Sequence, residues 1–192
     1  MSGRVAEFSV WGNLPLAETT DGLRPQILEL ELGREQKLGK LTIAPAVRTF
    51  YYHDPLTIYS THSVEAWLTV SYALGPVSLF TEQSVDVLTY RGAYYGAVGI
   101  ESERRVSPRV ELGSSVSAGW ASSQFNVAYI DIPAAGWQRI RVAGWLTTHL
   151  TPHYYIGPHV EFSSIVNRRV RAALARPSFV LVGLTTGIEY IK

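Results

Sequence analysis

Apolar and polar residues alternate one by one along most of this chain, which is the period of an extended strand and not of a helix. In "ILELEL" (27–32), Leu28, Leu30 and Leu32 share one face and Glu29 and Glu31 the other. "RVELGSSVSAGW" (109–120) sets Val110, Leu112, Val116, Ala118 and Trp120 against Arg109, Glu111, Gly113, Ser115 and Ser117. "VEAWLTVSY" (64–72) sets Val64, Ala66, Leu68, Val70 and Tyr72 against Glu65, Trp67, Thr69 and Ser71. The same grammar runs through 5–13, 41–52, 77–82, 94–101, 139–150, 155–162 and 178–190, which predicts ten strands. "FNVAYIDI" (125–132) reads as an extension of one hairpin. The only helical pattern is "NRRVRAALAR" (167–176), with Asn167 as its cap ahead of Pro177.

The joints alternate in length. Long ones such as "LPLAETTDGLRPQ", "HDPLTIYSTH" and "ASSQFNVAYIDIPAAGWQ" follow every odd strand, and short ones such as "ALGP" and "TPHY" follow every even strand. Gly, Pro, Asn and Asp collect in them, as turns require. An up-and-down meander follows, with tight turns at one end and long loops at the other. Pro45 and Pro158 fall inside strands and each removes a ladder donor, so a bulge or locally broken pairing is expected at both.

Alternation does not say which face points inward, because a soluble sandwich buries its apolar face and a membrane barrel exposes it. Composition and side-chain size decide. Charged residues are 17% of the 192, below the roughly one quarter usual in soluble domains. The polar face carries small residues beside charges, as at Gly113, Ser115 and Ser117 near Glu111, which suits a narrow lumen. Its cations are arginines, the better partners for carboxylates in confined space. The apolar face places aromatics at strand ends: Tyr51, Tyr72, Tyr94, Trp120, Tyr154 and Tyr190. Rings there match the girdles of a barrel at the two membrane interfaces. No run of apolar residues is long enough for a transmembrane helix, whereas strands need only about ten residues each.

Net charge is +1, so nothing points to nucleic acid as a partner. The absence of cysteine excludes disulfides, thiolate metal sites and a cysteine nucleophile. The start, "MSGRVAEFSV", lacks the regions of a secretion signal, so the sequence is expected to be the mature form of an exported chain.

In this pattern, and in "VWGNLPL", "TFYYHDP" and "SVEAWLTVSY", the chain resembles small porin-like outer-membrane β-barrel proteins of bacteria over its full length. The resemblance implies a closed antiparallel up-and-down transmembrane barrel of about ten strands, a single domain over 1–192, with periplasmic turns, extracellular loops and residence in the outer membrane. It carries no catalytic motif and implies no cofactor. Partners on this reading are outer-membrane lipids and the assembly machinery, which reads a terminal aromatic; here Tyr190 is followed by Ile191 and Lys192.

The lumen is expected to be lined by Arg48, Glu65, Trp67, Glu101, Arg109, Glu111, Arg139, Arg141, His159 and Glu161, with Glu7, Glu82 and Glu189 on the same face. These residues form either a selectivity constriction or a charge-paired polar filling. Ten strands lie near the size at which side chains fill the interior, and Trp11, Trp67 and Trp145 occupy much of the width, which favours a plugged or very narrow lumen. Arg168, Arg169 and Arg171, in a long loop, are candidates to meet lipopolysaccharide phosphates. Other readings are a soluble barrel or sandwich that binds an apolar ligand and an outer-membrane hydrolase built on His62 with Ser63 and Glu65, His53 with Asp54, or His159 with Glu161. No nucleophile, base and acid converge in sequence for the hydrolase. His149 and His153, four apart across "TPHY", read as a turn pair and not as metal ligands.

Overall fold

The structure is a computed structural model that describes residues 4–13, 26–53, 60–174 and 177–191. The strands are β1 (Arg4–Asn13), β2 (Gln26–Gly33), β3 (Gln36–Leu38), β4 (Leu41–His53), β5 (Ser60–Leu74), β6 (Val77–Asp86), β7 (Tyr94–Ser107), β8 (Val110–Ala121), β9 (Gly136–His149), β10 (Tyr154–Ile165) and β11 (Ser178–Ile191). Two helices interrupt them, α1 (Ser123–Ile130) and α2 (Arg168–Ala173). Each strand pairs antiparallel with its neighbours, and β1 pairs with β11, which closes the sheet. β3 continues the line of β2 along β4, so the ring has ten strands. Closure leaves no row of unpaired amides, each of which would cost several kcal/mol in hydrocarbon.

Both prolines sit where the ladder is interrupted. Pairing of β2 with β4 ends at Gly33 opposite Ala46, and pairing of β3 resumes at Gln36 opposite Ile43. The gap falls opposite Pro45, whose carbonyl accepts from the Arg34 amide at 3.0 Å while its own nitrogen offers nothing. At Pro158 the pairing with β9 lapses between Ile156 and His159 without a change of register, while pairing with β11 persists. Neither proline needs a bulge.

The stretch 125–132 is a helix and not the expected strand extension. Ser122 accepts from the Phe125 amide at 3.1 Å, capping α1. Asp131 ends it in the left-handed region at φ 58°. Phe125 and Tyr129, and Asn126 and Ile130, are four apart, so the segment satisfies a helical period as well as a period of two, and the cap decides between them. Asn167 caps α2 through its side chain, as its position in the sequence suggests.

Along the long strands, alternate described residues face outward, and most of them are apolar. On β8, Leu112 and Val116 are 52% and 53% exposed, while Ser115 and Ser117 are 7% and 4% exposed. Phe8, Leu28, Leu32, Val47, Leu68, Leu79, Val98, Val142, Val160 and Val182 continue the band around the ring. A soluble protein rarely exposes so large a continuous apolar surface. Tyr72 and Tyr154 lie outward near the short turns and Tyr51 outward near the long loops. Ten residues of β5 separate His62, which pairs with Tyr51, from Tyr72. At about 3.3 Å per residue and a strand tilt near 40°, that gives an apolar band of roughly 25 Å.

Candidate functional site: the barrel lumen

The inward residues surround a cavity of about 920 Å³ that runs the length of the ring. Nine of the ten residues expected in the lumen line it: Arg48, Glu65, Trp67, Glu101, Glu111, Arg139, Arg141, His159 and Glu161. Arg109 does not. β7 ends at Ser107 and β8 begins at Val110, so Pro108 and Arg109 form the turn, and Arg109 is exposed. Pro108 cannot donate to the ladder, which ends the pairing one residue earlier than the alternation suggests.

Small inward residues make room for large ones on adjacent strands. The Trp145 indole lies across Gly113, and the Tyr95 hydroxyl lies over Gly119, where any Cβ would collide with it. The arginines are anchored to the wall. Arg48 pairs with Glu31 and with Glu29 at 3.4 Å, and its guanidinium stacks on the Trp67 ring at 3.8 Å from the centroid. Arg141 reaches Glu82 at 3.2 Å and Glu161 at 4.0 Å and donates to the Ser117 hydroxyl at 3.2 Å. Arg139 donates to the Tyr95 hydroxyl at 3.2 Å. Glu111 meets Arg105 at 2.7 Å and His149 at 3.6 Å near the short turns.

The lining is not balanced in charge. Among the described residues it holds eight glutamates, Glu29, Glu31, Glu65, Glu82, Glu101, Glu103, Glu111 and Glu161, against three arginines and His159. Among them Glu101 makes no ion pair.

At the long-loop end α1 folds into the mouth. Tyr129 donates to a Glu65 carboxylate oxygen at 3.0 Å, and Asn126, fully buried, donates to Gln138 at 2.9 Å and to the Ala134 carbonyl. Phe125 packs between Tyr129 and Tyr95, with centroids at 4.5 and 5.4 Å. α2 adds Val170, fully buried against Ala134 and Ile165. Alternation does not reveal α1 in the mouth, because "FNVAYIDI" fits a strand period as well as a helical one.

On the outer face of the same end, Trp120 packs edge-on against Trp137 at 5.4 Å, and its indole N–H donates to the Tyr94 hydroxyl at 3.4 Å. Tyr94 in turn bonds Gln83. Trp137, 57% exposed, joins this rim through a register shift between Gly119 and Trp120 that alternation alone could not locate. The Tyr190 side chain lies outside the described residues.

The other candidates do not converge. Ser63 is buried and donates to Asp86, while His62, next in sequence, faces outward and is exposed. Asp54 and the His53 side chain lie outside the described residues. His159 and Glu161 share the lumen face. His149 points to Glu111, and His153 is exposed in the turn after β9. Among the described residues no cluster of three His, Asp or Glu side chains is placed to hold a metal. Arg168, Arg169 and Arg171 are exposed on α2.

The backbone is similar to that of the NanC porin over 95% of this chain and 98% of that one, with a TM-score of 0.52 at 10% identity. The chain has the outer-membrane β-barrel fold. Yersinia pestis outer membrane protein Ail is matched over 99% of this chain and all of its own, at a TM-score of 0.46 and 11% identity. No family model matches the sequence, and no curated protein matches it.

Proposed function

We infer that this chain is an integral outer-membrane protein whose lumen is a narrow, partly plugged conduit for small polar solutes. The observation that carries the reading is the outward apolar band, edged by tyrosines, around a charged cavity of about 920 Å³. A soluble barrel holding an apolar ligand needs the opposite arrangement of faces. The tight turns then lie on the periplasmic side and α1 and α2 on the cell surface, in keeping with the loop lengths of such barrels.

Two measurements test the reading. The protein should be monodisperse only with detergent or lipid; a monodisperse sample in plain buffer refutes membrane insertion. In planar bilayers it should give small, discrete conductance steps that grow when Tyr129→Phe removes the bond holding α1 to Glu65. Silent bilayers for both proteins leave a structural barrel. Exposed arginines on α2 support contact with lipopolysaccharide phosphates, in which case binding should weaken with salt and on changing Arg168, Arg169 and Arg171 to Gln.

A further inference from the structure

At the short-turn end the charges are sorted by face. Among the described side chains there, the carboxylates Glu35, Glu103 and Glu111 keep the inward phase of their strands. Lys37 meets Glu35 at 3.4 Å and Arg105 meets Glu111 at 2.7 Å, so those two cations are used within the chain. The others, Arg34, Lys40, Arg104 and Arg109, are exposed and make no ion pair among the described residues. Arg34 continues the outward phase of Leu32, and Arg104 lies outward opposite Leu112. Lys40 and Arg109 stand in the turns after β3 and β7.

The rim that carries these cations is held by backbone bonds. The Arg34 amide donates to the Pro45 carbonyl at 3.0 Å, the Lys40 carbonyl accepts from the Ala73 amide at 2.9 Å, and the Arg109 carbonyl accepts from the His149 amide at 2.8 Å. Between the two pairs the turn after β5 carries no charge, and Tyr72, Leu74 and Leu79 are exposed beside it. The arc from β2 to β8 thus sets cations at the edge of the apolar band with no anion of the described chain to meet them.

A partner for this arc must offer negative charge and an apolar body side by side. Leu32, Leu38, Leu112 and Val106 are all exposed close to the cations in the chain or across the ladder. Arginine and lysine stems lie along such apolar surface while their charged heads stay in the polar layer. A phospholipid with an anionic headgroup meets both demands, because its phosphodiester oxygens accept from guanidinium and ammonium while its acyl chains cover the leucines. An acidic protein segment would meet only the first.

We propose that Arg34, Lys40, Arg104 and Arg109 form a binding arc for the phosphodiester headgroups of anionic phospholipids in the leaflet at the short-turn end. The arc rests on the reading of the chain as membrane-inserted and needs no flow through the lumen.

The test is electron spin resonance on the full chain in phosphatidylcholine vesicles, with phosphatidylglycerol or phosphatidylcholine carrying the same acyl spin label. The motionally restricted fraction reports which lipid the barrel prefers. A preference for phosphatidylglycerol of about fivefold is expected, the weight of one Lys or Arg contact near an anionic headgroup, and it should fade at high salt. Arg34→Gln, Lys40→Gln, Arg104→Gln and Arg109→Gln together should remove it, while Arg168→Gln, Arg169→Gln and Arg171→Gln together should leave most of it. Equal association of the two lipids with the parent chain, or a preference unchanged in the arc variant, overturns the proposal. So does a preference lost with the α2 changes instead. If the full arc variant does not insert, Arg104→Gln with Arg109→Gln decides in its place, with a preference lowered about twofold expected and an unchanged one overturning the proposal. A chain that does not float with the vesicles refutes membrane insertion, whereas one that floats and shows no preference refutes the arc alone.

Discussion

The wall carrying Arg48 and the wall carrying Ser115 each set two glutamates two apart on one strand, and they differ in what those carboxylates have to do. Around Arg48 each glutamate is committed to a partner inside the chain, so the cluster acts as a strut between β2, β4 and β5. Around Ser115 the small residues Gly113 and Ser115 leave Glu101 facing the cavity with no cation of the chain beside it. The comparison teaches that a cation at the register position beside a glutamate decides whether that carboxylate is met within the chain or faces the cavity. Removing one partner of a buried ion pair costs far more than never having had it, because the other charge is stranded.

The largest effect should follow from breaking the Arg48 wall. Arg48→Met strands Glu29 and Glu31 and should cost about 3 kcal/mol in chemical unfolding from lipid vesicles. Next comes the indole of the Ser115 wall: Gly113→Val drives a side chain into Trp145 and should cost about 2 kcal/mol, with a visible shift in tryptophan emission. On the Arg48 wall, a Cβ at Gly33 would come to 3.2 Å from the Ala46 Cβ, with the Pro45 carbonyl and Glu31 at ordinary contact distance, so Gly33→Ala should be far milder. Trp67→Leu removes the ring under Arg48 and should cost about 1 kcal/mol in the same assay. The smallest change belongs to Glu101→Gln, expected within about 0.5 kcal/mol of the parent, since no ion pair is lost. A large loss there would show that Glu101 has a structural partner and would remove the contrast between the walls.

The ring itself was legible in the sequence. Strict alternation in segments such as 27–32 and 64–72 reports the face of each residue, and the loop lengths report the order of the ends. Both prolines were placed correctly at weak points of the ladder, because a missing amide has the same consequence wherever the fold puts it. What alternation lacks is stagger. It puts Trp145, Ser115 and Glu101 on one face but cannot say that they lie on neighbouring rows of three strands, which emerges only from the pairing. α1 was missed because "FNVAYIDI" fits both periods, and the decision rests on Ser122 and Asp131 at its ends. Arg109 was misplaced because it falls in the two-residue turn, Pro108 and Arg109, where the alternation of the following strand already reads as begun.

The closing seam joins Arg4 to Ile191. These partners are nearly the whole chain apart, so the contact that finishes the ring is the slowest kind to form and comes after every hairpin is already made. Until the last strand arrives, β1 and the growing edge are both open, and each is a template for pairing with another copy. Biogenesis of such a chain is therefore a problem of timing, since the first strand's edge stays open until the tenth reaches it.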